Sequence, residues 1–284
     1  MRNISIIADS TCDLSKELLE KYHIITLPLH IHLGEEEYMD GVDIDPDAIY
    51  QWSDAHATTP KTSTISLTEA LETMEKQLEE AKEVICFSIS ETMSTCGTVM
   101  NMAARELEAE DRVWVIDSMN LSTGIGLLIL EAAAMAEEGM SACEIVERIN
   151  ELRPLVRASF VVDTLTYLHR GGRCSSVAAL AGSAFKLHPY ISVVDGKMQA
   201  GKKYRGKMEK VIRDYVDDLK PAMANAKPER VFITHSGCDS AVLEAVKQQV
   251  EEMGVFREIL ITRAGGVISS HCGPGALGVL FIAE

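Results

Sequence analysis

The sequence predicts an α/β fold of two domains, the first built on a mostly parallel sheet. Short apolar runs alternate with helical segments throughout the first half, which is the pattern of parallel strands joined by helices. The chain has 284 residues, more than one domain usually holds, and 46% of them are hydrophobic. The sequence pattern changes near Arg153-Pro154, where an acidic segment is followed by a basic one. We therefore predict an N-terminal α/β domain over residues 1–155 and a C-terminal α+β domain over residues 156–284.

Charge is spread unevenly along the chain. Residues 1–152 hold 9 Lys or Arg and 30 Asp or Glu, residues 153–213 hold 12 and 3, and residues 214–284 hold 6 and 10. The overall net charge of −16 argues against general nucleic-acid binding, because nucleic-acid phosphates attract basic proteins. The basic middle segment either faces an acidic partner or anionic ligand, or balances the acidic domain as a solvated face.

Apolar runs and cysteines predict the compartment. No uninterrupted apolar run approaches the roughly 18 residues of a membrane helix, and the N-terminus enters a strand without a signal-peptide pattern. The seven cysteines are odd in number and form no CxxC pair, which is typical of free thiols in the cytosol. We expect a cytoplasmic protein with no integral membrane segment.

In the first domain, strands and helices are predicted to alternate. The expected strands are Ile4–Ala8, Ile24–Leu33, Val84–Ile89 and Val113–Ile116, and the expected helices are about Ser15–Tyr22, Asp45-Pro46 onward, Ser66–Glu80, Gly97–Leu107, Ser122 onward and Ser141–Leu152. Three of these helices carry explicit start signals. Asp45 is an N-cap before Pro46, and Ser66 and Ser141 each open a capping box.

The second domain is predicted to mix strands, a hairpin and helices. The expected strands are Ala158–Val162, Val231–Thr234 and Arg257–Thr262, and the expected helices are Ser176–Lys186, about Arg205 onward and Asp239–Glu252. Ile191–Ala200 reads as a hairpin turned at Asp195-Gly196. Gly273–Gly278 fits the letters of GxGxxG, but too few residues follow it for a βαβ unit, so dinucleotide binding is rejected. Gly273–Gly278 is instead interpreted as a glycine-rich segment that leads into a C-terminal apolar strand.

Serine and aspartate end three strands of the first domain, at Asp9-Ser10, Ser88–Ser94 and Asp117-Ser118. In α/β sheets, ligands bind beyond the carboxyl ends of the strands. Thr62, Ser63 and Thr64 lie just before a predicted helix N-terminus, where hydroxyls and free N–H groups favour a carboxylate or phosphate. The turn is equally compatible with a simple polar N-cap, but together these segments predict an anion-receiving edge.

The sequence also contains partial patterns of a metal site and of a nucleophilic triad. His30-x-His32 would place two imidazoles on one strand face, but no Cys or acidic set completes a metal site. Serines, His271 and Asp9 are all available for a nucleophilic triad, but nothing marks one serine as activated.

Taken together, several stretches resemble the DegV family of bacterial fatty-acid-binding proteins. They are, in chain order, Ile7–Asp13, Asp40-Gly41, Pro60–Ser63, Ile89-Ser90 with Ser94, Asp117-Ser118, Arg170–Arg173 and His271–Gly278. The resemblance implies a two-domain carrier that buries one long-chain fatty acid, without catalytic residues, cofactor or metal. The ligand-binding residues that it implies are Thr62, Ser63, Ser94, Arg170, His271 and Gly273, with the carboxylate at Thr62 and Ser94. The sequence departs from the common family pattern at Thr64, where many members have Gln.

Some family members present the fatty acid to a separate ATP-dependent kinase, which makes an acyl phosphate. The resemblance therefore implies a fatty acid kinase as partner. Arg170 and Arg173 lie in the basic segment and are predicted to contact this kinase or the phosphate. The competing account is a buried structural arginine paired with Asp163 or another acid. A hydrolase and a binding protein for a small anion such as a sugar phosphate remain as alternative functions.

Overall fold

The structure is a computed structural model that describes residues 2–173 and 187–284. The helix predicted over Ser176–Lys186 lies outside the described residues. The strands are β1 (Arg2–Asp9), β2 (Ile24–Leu27), β3 (His30–Leu33), β4 (Glu36–Met39), β5 (Lys61–Ser63), β6 (Ala81–Ser88), β7 (Val113–Asp117), β8 (Val156–Val161), β9 (Leu187–Val194), β10 (Lys197–Arg205), β11 (Ala226–His235), β12 (Glu258–Arg263) and β13 (Leu277–Ala283). The helices are α1 (Lys16–Tyr22), α2 (Pro46–His56), α3 (Leu67–Glu80), α4 (Cys96–Glu106), α5 (Thr123–Glu137), α6 (Ala142–Leu152), α7 (Thr166–Gly171), α8 (Met208–Met223), α9 (Ser240–Glu251) and α10 (Gly266–Cys272), with 3-10 turns at Ser10–Cys12 and Arg153–Leu155.

Four parallel strands form the first sheet, in the order β2-β1-β6-β7. The central strands β1 and β6 are buried over their last five residues, as expected for a parallel sheet covered by helices. Helices α3, α4, α5 and α6 pack against it. This arrangement confirms the predicted fold class for the N-terminal region.

The segment predicted as one strand over Ile24–Leu33 is two strands in two different sheets. Proline has no N–H for a strand ladder, and Pro28 lies at the break between β2 and β3. β3 leaves the parallel sheet and pairs antiparallel with β4 and β5. The turn predicted around Thr62 is therefore the short strand β5, in which Thr62 pairs with Ile31.

Six strands form the second sheet, in the order β10-β9-β8-β13-β11-β12, with only β11 and β12 parallel among adjacent strands. The predicted hairpin is confirmed, and positive φ angles at Asp195 (49°) and Gly196 (75°) fit a two-residue hairpin turn. The helix predicted from about Arg205 begins instead at Met208, because Arg205 still pairs with Leu187 in the ladder. All six strands lie within residues 156–283, and we retain the division at residue 155 as a proposal.

The predicted helix caps are observed with their hydrogen bonds. Asp45 accepts the N–H of Ala48 at 2.9 Å, and Ser66 and Ser141 form complete capping boxes. Asp239 is an N-cap residue by position but makes no side-chain cap bond. Across residues 2–173 and 187–284, no helix has both the length and the apolar character needed to cross a bilayer.

Candidate functional site

A cavity of about 500 Å³ lies between the two predicted domains. Its walls are formed by Leu29, Thr62, Ser63, Thr64, Ile89, Glu91, Thr92, Met93, Ser94, Thr95, Leu121, Arg173, Met198, Val267, Ile268, His271 and Cys272. Six of these residues carry hydroxyl groups, and the first domain supplies them from two short segments, 62–64 and 92–95. Thr62, Ser63 and Ser94 of the predicted anion-receiving edge therefore line one cavity, whereas Asp9-Ser10 and Asp117-Ser118 of the same prediction are not among its wall residues.

The hydroxyl of Thr62 is joined to His271 across the two domains. Thr62 is held by the pairing of β5 with β3, and its Oγ1 lies 2.8 Å from Nε2 of His271 on α10. Ser94 sits in the loop between β6 and α4, where its Oγ accepts the N–H of Cys96 at 3.3 Å. Ser63 also lines the cavity, and its hydroxyl lies 2.8 Å from Nε2 of His32.

His271 is neutral at pH 7. Burial lowers the pKa of the imidazole to about 4, and the positive charge of Arg173 acts in the same direction. Its Nδ1 is buried and has no hydrogen-bond partner among the described residues. A buried N–H without a partner is costlier than a bare lone pair, so the proton belongs on Nε2, which then donates to Thr62.

A hairpin from the second domain closes one side of the cavity. The carbonyl of Gly196 at the β9–β10 turn accepts hydrogen bonds from the hydroxyls of Ser90, at 2.8 Å, and of Thr92. Both donors lie in the loop that carries Ser94. Met198, two residues after the turn, then forms part of the wall. Nothing in the local sequence indicated this contact, which depends on residues 104 and 106 positions apart.

Another part of the cavity wall is apolar. Leu29, Ile89, Leu121, Val267 and Ile268 contribute aliphatic side chains to it. A second, much smaller cavity of about 30 Å³ shares Leu121, Ile268 and Cys272 with the first and continues to Phe160 and Leu280 of the second sheet. The two cavities therefore border the same three side chains, and the smaller one is also lined by Ser122, Ser159, Thr234, His235 and Ser236. The hydroxyl-lined part of the larger cavity is called the polar end below, and the part beside the shared residues is called the apolar end.

Arg173 and Arg170 occupy different places. Arg173 lines the cavity, is exposed, and donates to the carbonyl of Gly171 at 2.7 Å. Arg170 is also exposed, is not among the wall residues, and donates to the carbonyl of Ala57 at 3.3 Å. Asp163, the acid that was considered as the partner of a structural arginine, instead has its Oδ1 3.7 Å from Nδ1 of His188.

Gly273, a predicted ligand contact, is also outside the described wall. It follows α10 with a φ of 73°, and a Cβ there would lie 2.6 Å from the ring of Tyr167. Its carbonyl accepts the hydroxyl of Ser236 at 2.5 Å. A tight turn and close packing therefore explain the glycine.

A nucleophilic triad is not assembled by these residues. Asp9 is fully buried and accepts hydrogen bonds from Thr11 and from the N–H of Ile89, while Nδ1 of His271 has no described carboxylate partner. In a triad, that nitrogen would donate to an acid.

The histidine pair His30 and His32 is engaged by protein groups. His30 lies between Glu37 and Glu69, at 2.7 and 3.0 Å, and His32 contacts Ser63. Within the described part of the chain, no group of three or more His, Cys, Asp or Glu residues is arranged to hold a metal ion.

Comparison with known proteins gives one family over the full length. A family profile described as "Uncharacterised protein, DegV family" matches residues 3–284. A DegV domain-containing protein of Clostridium perfringens is 35% identical over 286 residues, covering 100% of both chains.

Solved structures share the whole fold. A DegV family protein from Thermus thermophilus, described by its fatty acid binding, has a TM-score of 0.91 and 30% identity, with 100% of both chains covered. A stearic acid-binding protein from Eubacterium ventriosum has a TM-score of 0.85 and 30% identity, covering 100% of this chain and 98% of the other. A fatty acid kinase B3 protein from Streptococcus pneumoniae, loaded with linoleic acid, has a TM-score of 0.84 over 99% and 100% of the chains. At 21% identity, the last likeness concerns the fold alone.

Proposed function

Because the chain belongs to the DegV family, we propose that it binds one long-chain fatty acid in the cavity between its domains. The carboxylate lies at the hydroxyls of Thr62 and Ser94, and the acyl chain follows the apolar wall. The observation that carries the proposal is the hydrogen-bonded pair of Thr62 and His271 in a cavity of about 500 Å³ whose other end is apolar. That volume is within the usual range for small-molecule sites, roughly 300–1,000 Å³.

The protonation state of His271 prepares Thr62 to donate. With its proton on Nε2, His271 donates to Oγ1 of Thr62, and the Thr62 hydroxyl proton is left free for the carboxylate. Ser94 supplies a second hydroxyl proton in the same cavity. Hydrogen bonds to a charged group are worth roughly 1.5–3 kcal/mol each, which suits a site that must release its ligand to a partner.

Apolar burial supplies most of the binding free energy in this proposal. A chain with on the order of 14 methylenes gains about 11 kcal/mol gross at roughly 0.8 kcal/mol per methylene. Leu121 and Ile268, which border both cavities, are where the chain passes toward Phe160 and Leu280. The related proteins from Thermus thermophilus and Eubacterium ventriosum, described as fatty-acid binders, support this ligand class.

The same proposal includes delivery of the fatty acid to a separate ATP-dependent fatty acid kinase, with the protein as carrier rather than catalyst. Arg173 is the arginine of the described cavity wall, and its side chain is exposed. An exposed guanidinium there is available to a docking partner and to the acyl phosphate that the kinase makes.

The test is to identify the bound ligand chemically. Protein purified from a bacterial host is denatured, and the released small molecules are quantified by mass spectrometry. We expect a long-chain fatty acid near one equivalent per chain. Stoichiometric sugar phosphate would favour the small-anion alternative, and steady hydrolysis of p-nitrophenyl esters that is lost in Ser94→Ala would favour a hydrolase.

A further inference from the structure

Helix α10 is too short to be stable by itself. It has seven residues, Gly266–Cys272, whereas isolated helices shorter than about 12–15 residues are marginal in water. It nevertheless provides four residues of the cavity wall, Val267, Ile268, His271 and Cys272. Its conformation must therefore be held by contacts with the rest of the protein.

Two buried carboxylates hold the first N–H groups of this helix. Asp13 accepts the N–H of Gly265 at 2.8 Å, and Asp40 accepts the N–H of Gly266 at 2.6 Å and that of Val267. The first N–H groups of a helix have no partner within it, so acceptor oxygens from outside the helix must satisfy them. Burial raises the pKa of both acids, that of Asp13 to about 8, so these contacts act as hydrogen bonds rather than through a negative charge. The carboxylates thus do for α10 what a capping residue of its own would do.

Both carboxylates are themselves fixed in place. Ser122 donates to Asp13 at 2.5 Å, and Ser10 donates to Asp40 at 2.8 Å. Asp13 is 5% exposed and Asp40 is 4% exposed. A Cβ on Gly266 would lie 2.9 Å from Oδ1 of Asp40, so the backbone approaches the carboxylate as closely as a glycine allows.

We propose that Asp13 and Asp40 are positioning residues for the polar end of the cavity. They act on His271 through α10. Both belong to the predicted N-terminal domain, as does Thr62, whereas α10 belongs to the C-terminal one. The first domain therefore holds α10 at both ends, by carboxylates at the first turn and by Thr62 at the last. The helix is roughly 10 Å long, so a tilt at its first turn moves His271 relative to Thr62. This inference rests on the fatty-acid binding proposed above.

An ordinary stabilising cap would behave differently when it is removed. It would lower the melting temperature without changing the affinity of the folded protein. Ser141 provides the matched control, because it caps α6 through a bond to the N–H of Glu144 and α6 supplies no described wall residue.

The experiment compares Asp40→Ala, Asp40→Asn and Ser141→Ala by oleate titration of delipidated protein and by thermal melting. We expect Asp40→Ala to bind oleate roughly tenfold more weakly, the equivalent of one lost hydrogen bond. Asp40→Asn should stay within about threefold of the parent, because asparagine caps helices as well as aspartate does. Ser141→Ala should melt earlier and bind as the parent does. Parent-like affinity of Asp40→Ala overturns the proposal.

The ¹⁵N chemical shifts of the His271 imidazole separate this inference from the fatty-acid proposal. In ligand-free Asp40→Ala, we expect the Nε2 resonance to move as its bond to Thr62 is lost, while Ser141→Ala leaves it in place. If the parent fails to bind oleate, fatty-acid binding is wrong, and the His271 shifts alone decide whether Asp40 positions the helix. Unchanged shifts then overturn the inference. If Asp40→Ala does not fold, Asp13→Ala is measured by the same criteria.

Discussion

The two ends of the cavity are built in opposite ways. At the polar end, hydrogen bonds join side chains from distant segments, as in the 2.8 Å contact between Thr62 and His271. At the apolar end, Leu121, Ile268 and Leu280 meet through packing. Hydrogen bonds fix direction, whereas apolar burial is non-directional and grows with area. We therefore expect the polar end to orient a bound fatty acid and the apolar end to supply most of its affinity.

The largest expected effect comes from filling the apolar end. Leu121 is 5% exposed and borders both cavities, so Leu121→Trp places an indole where the acyl chain passes. Lost burial of about four methylenes, at roughly 0.8 kcal/mol each, weakens oleate binding by roughly 100-fold. Oleate titration measures the change.

A shorter ligand provides the control for this substitution. Decanoate should bind Leu121→Trp about as well as it binds the parent, because its chain ends before the blocked region. Leu121→Met, which conserves volume, should bind oleate normally. Equal loss of affinity for decanoate and oleate would mean that the chain does not run past Leu121.

Removing hydroxyls at the polar end should have a smaller effect. Thr62→Val and Ser94→Ala each remove one donor to the carboxylate and should cost roughly 1–3 kcal/mol of binding free energy. Thr98→Val is the control, since Thr98 is exposed on α4 and is not part of the described wall. Calorimetric titration with oleate tests the pair, and parent-like affinity of both variants would put the carboxylate elsewhere.

The sequence was informative where structure is determined locally. Capping boxes at Ser66 and Ser141 and the hairpin at Asp195-Gly196 depend on neighbouring residues, and all three are observed. Ser94 was predicted at the edge where the carboxyl ends of parallel strands converge, and Thr62 was predicted in a turn that could join this edge. Both line one cavity, although Thr62 lies in the antiparallel strand β5.

The missed features depend on residues far apart in the chain. Helix α10 was not predicted, because Gly265-Gly266 and Val267-Ile268 are poor helix formers and the capping groups lie 226 and 252 positions away. The spacing of Arg170-Gly-Gly-Arg173 likewise could not tell which guanidinium faces the cavity, since that depends on how α7 packs. By contrast, Pro28 was a readable signal for the end of β2.

Acid should lower the free energy of unfolding through the protonation of His271. The pKa of its imidazole is about 4 in the folded protein, against about 6.5 in the unfolded chain. The unfolded state thus binds this proton first as the pH falls, so the histidine lowers stability between pH 6.5 and 4. At pH 5 the penalty is roughly 1–2 kcal/mol.

Urea unfolding at pH 7 and pH 5 measures this contribution. His271→Gln removes the titrating group, so its loss of stability between the two pH values should be smaller than that of the parent. Carboxylates elsewhere titrate in both proteins and cancel in the difference. Identical pH dependence of parent and variant would mean that His271 is protonated in the folded protein as readily as in the unfolded chain.

The smallest expected effect on fatty-acid binding concerns Arg173 and Arg170, which are expected to act in a step that follows binding. Arg173 lines the cavity beside the polar end, whereas Arg170 contacts Ala57 outside the described wall. Both side chains are exposed, so neither has the buried ion pair of a structural arginine.

We expect Arg173→Ala to bind oleate within about twofold of the parent, since exposed charge pairs are worth roughly 0–1 kcal/mol. Turnover in a coupled assay with an ATP-dependent fatty acid kinase should fall further, because the guanidinium is then needed to dock the kinase or neutralise the acyl phosphate. Arg170→Ala is the matched variant and should lose less turnover than Arg173→Ala, while His271→Ala should weaken both steps. Equal losses in the two assays for Arg173→Ala, or a lower melting temperature that accounts for them, would return Arg173 to a structural role.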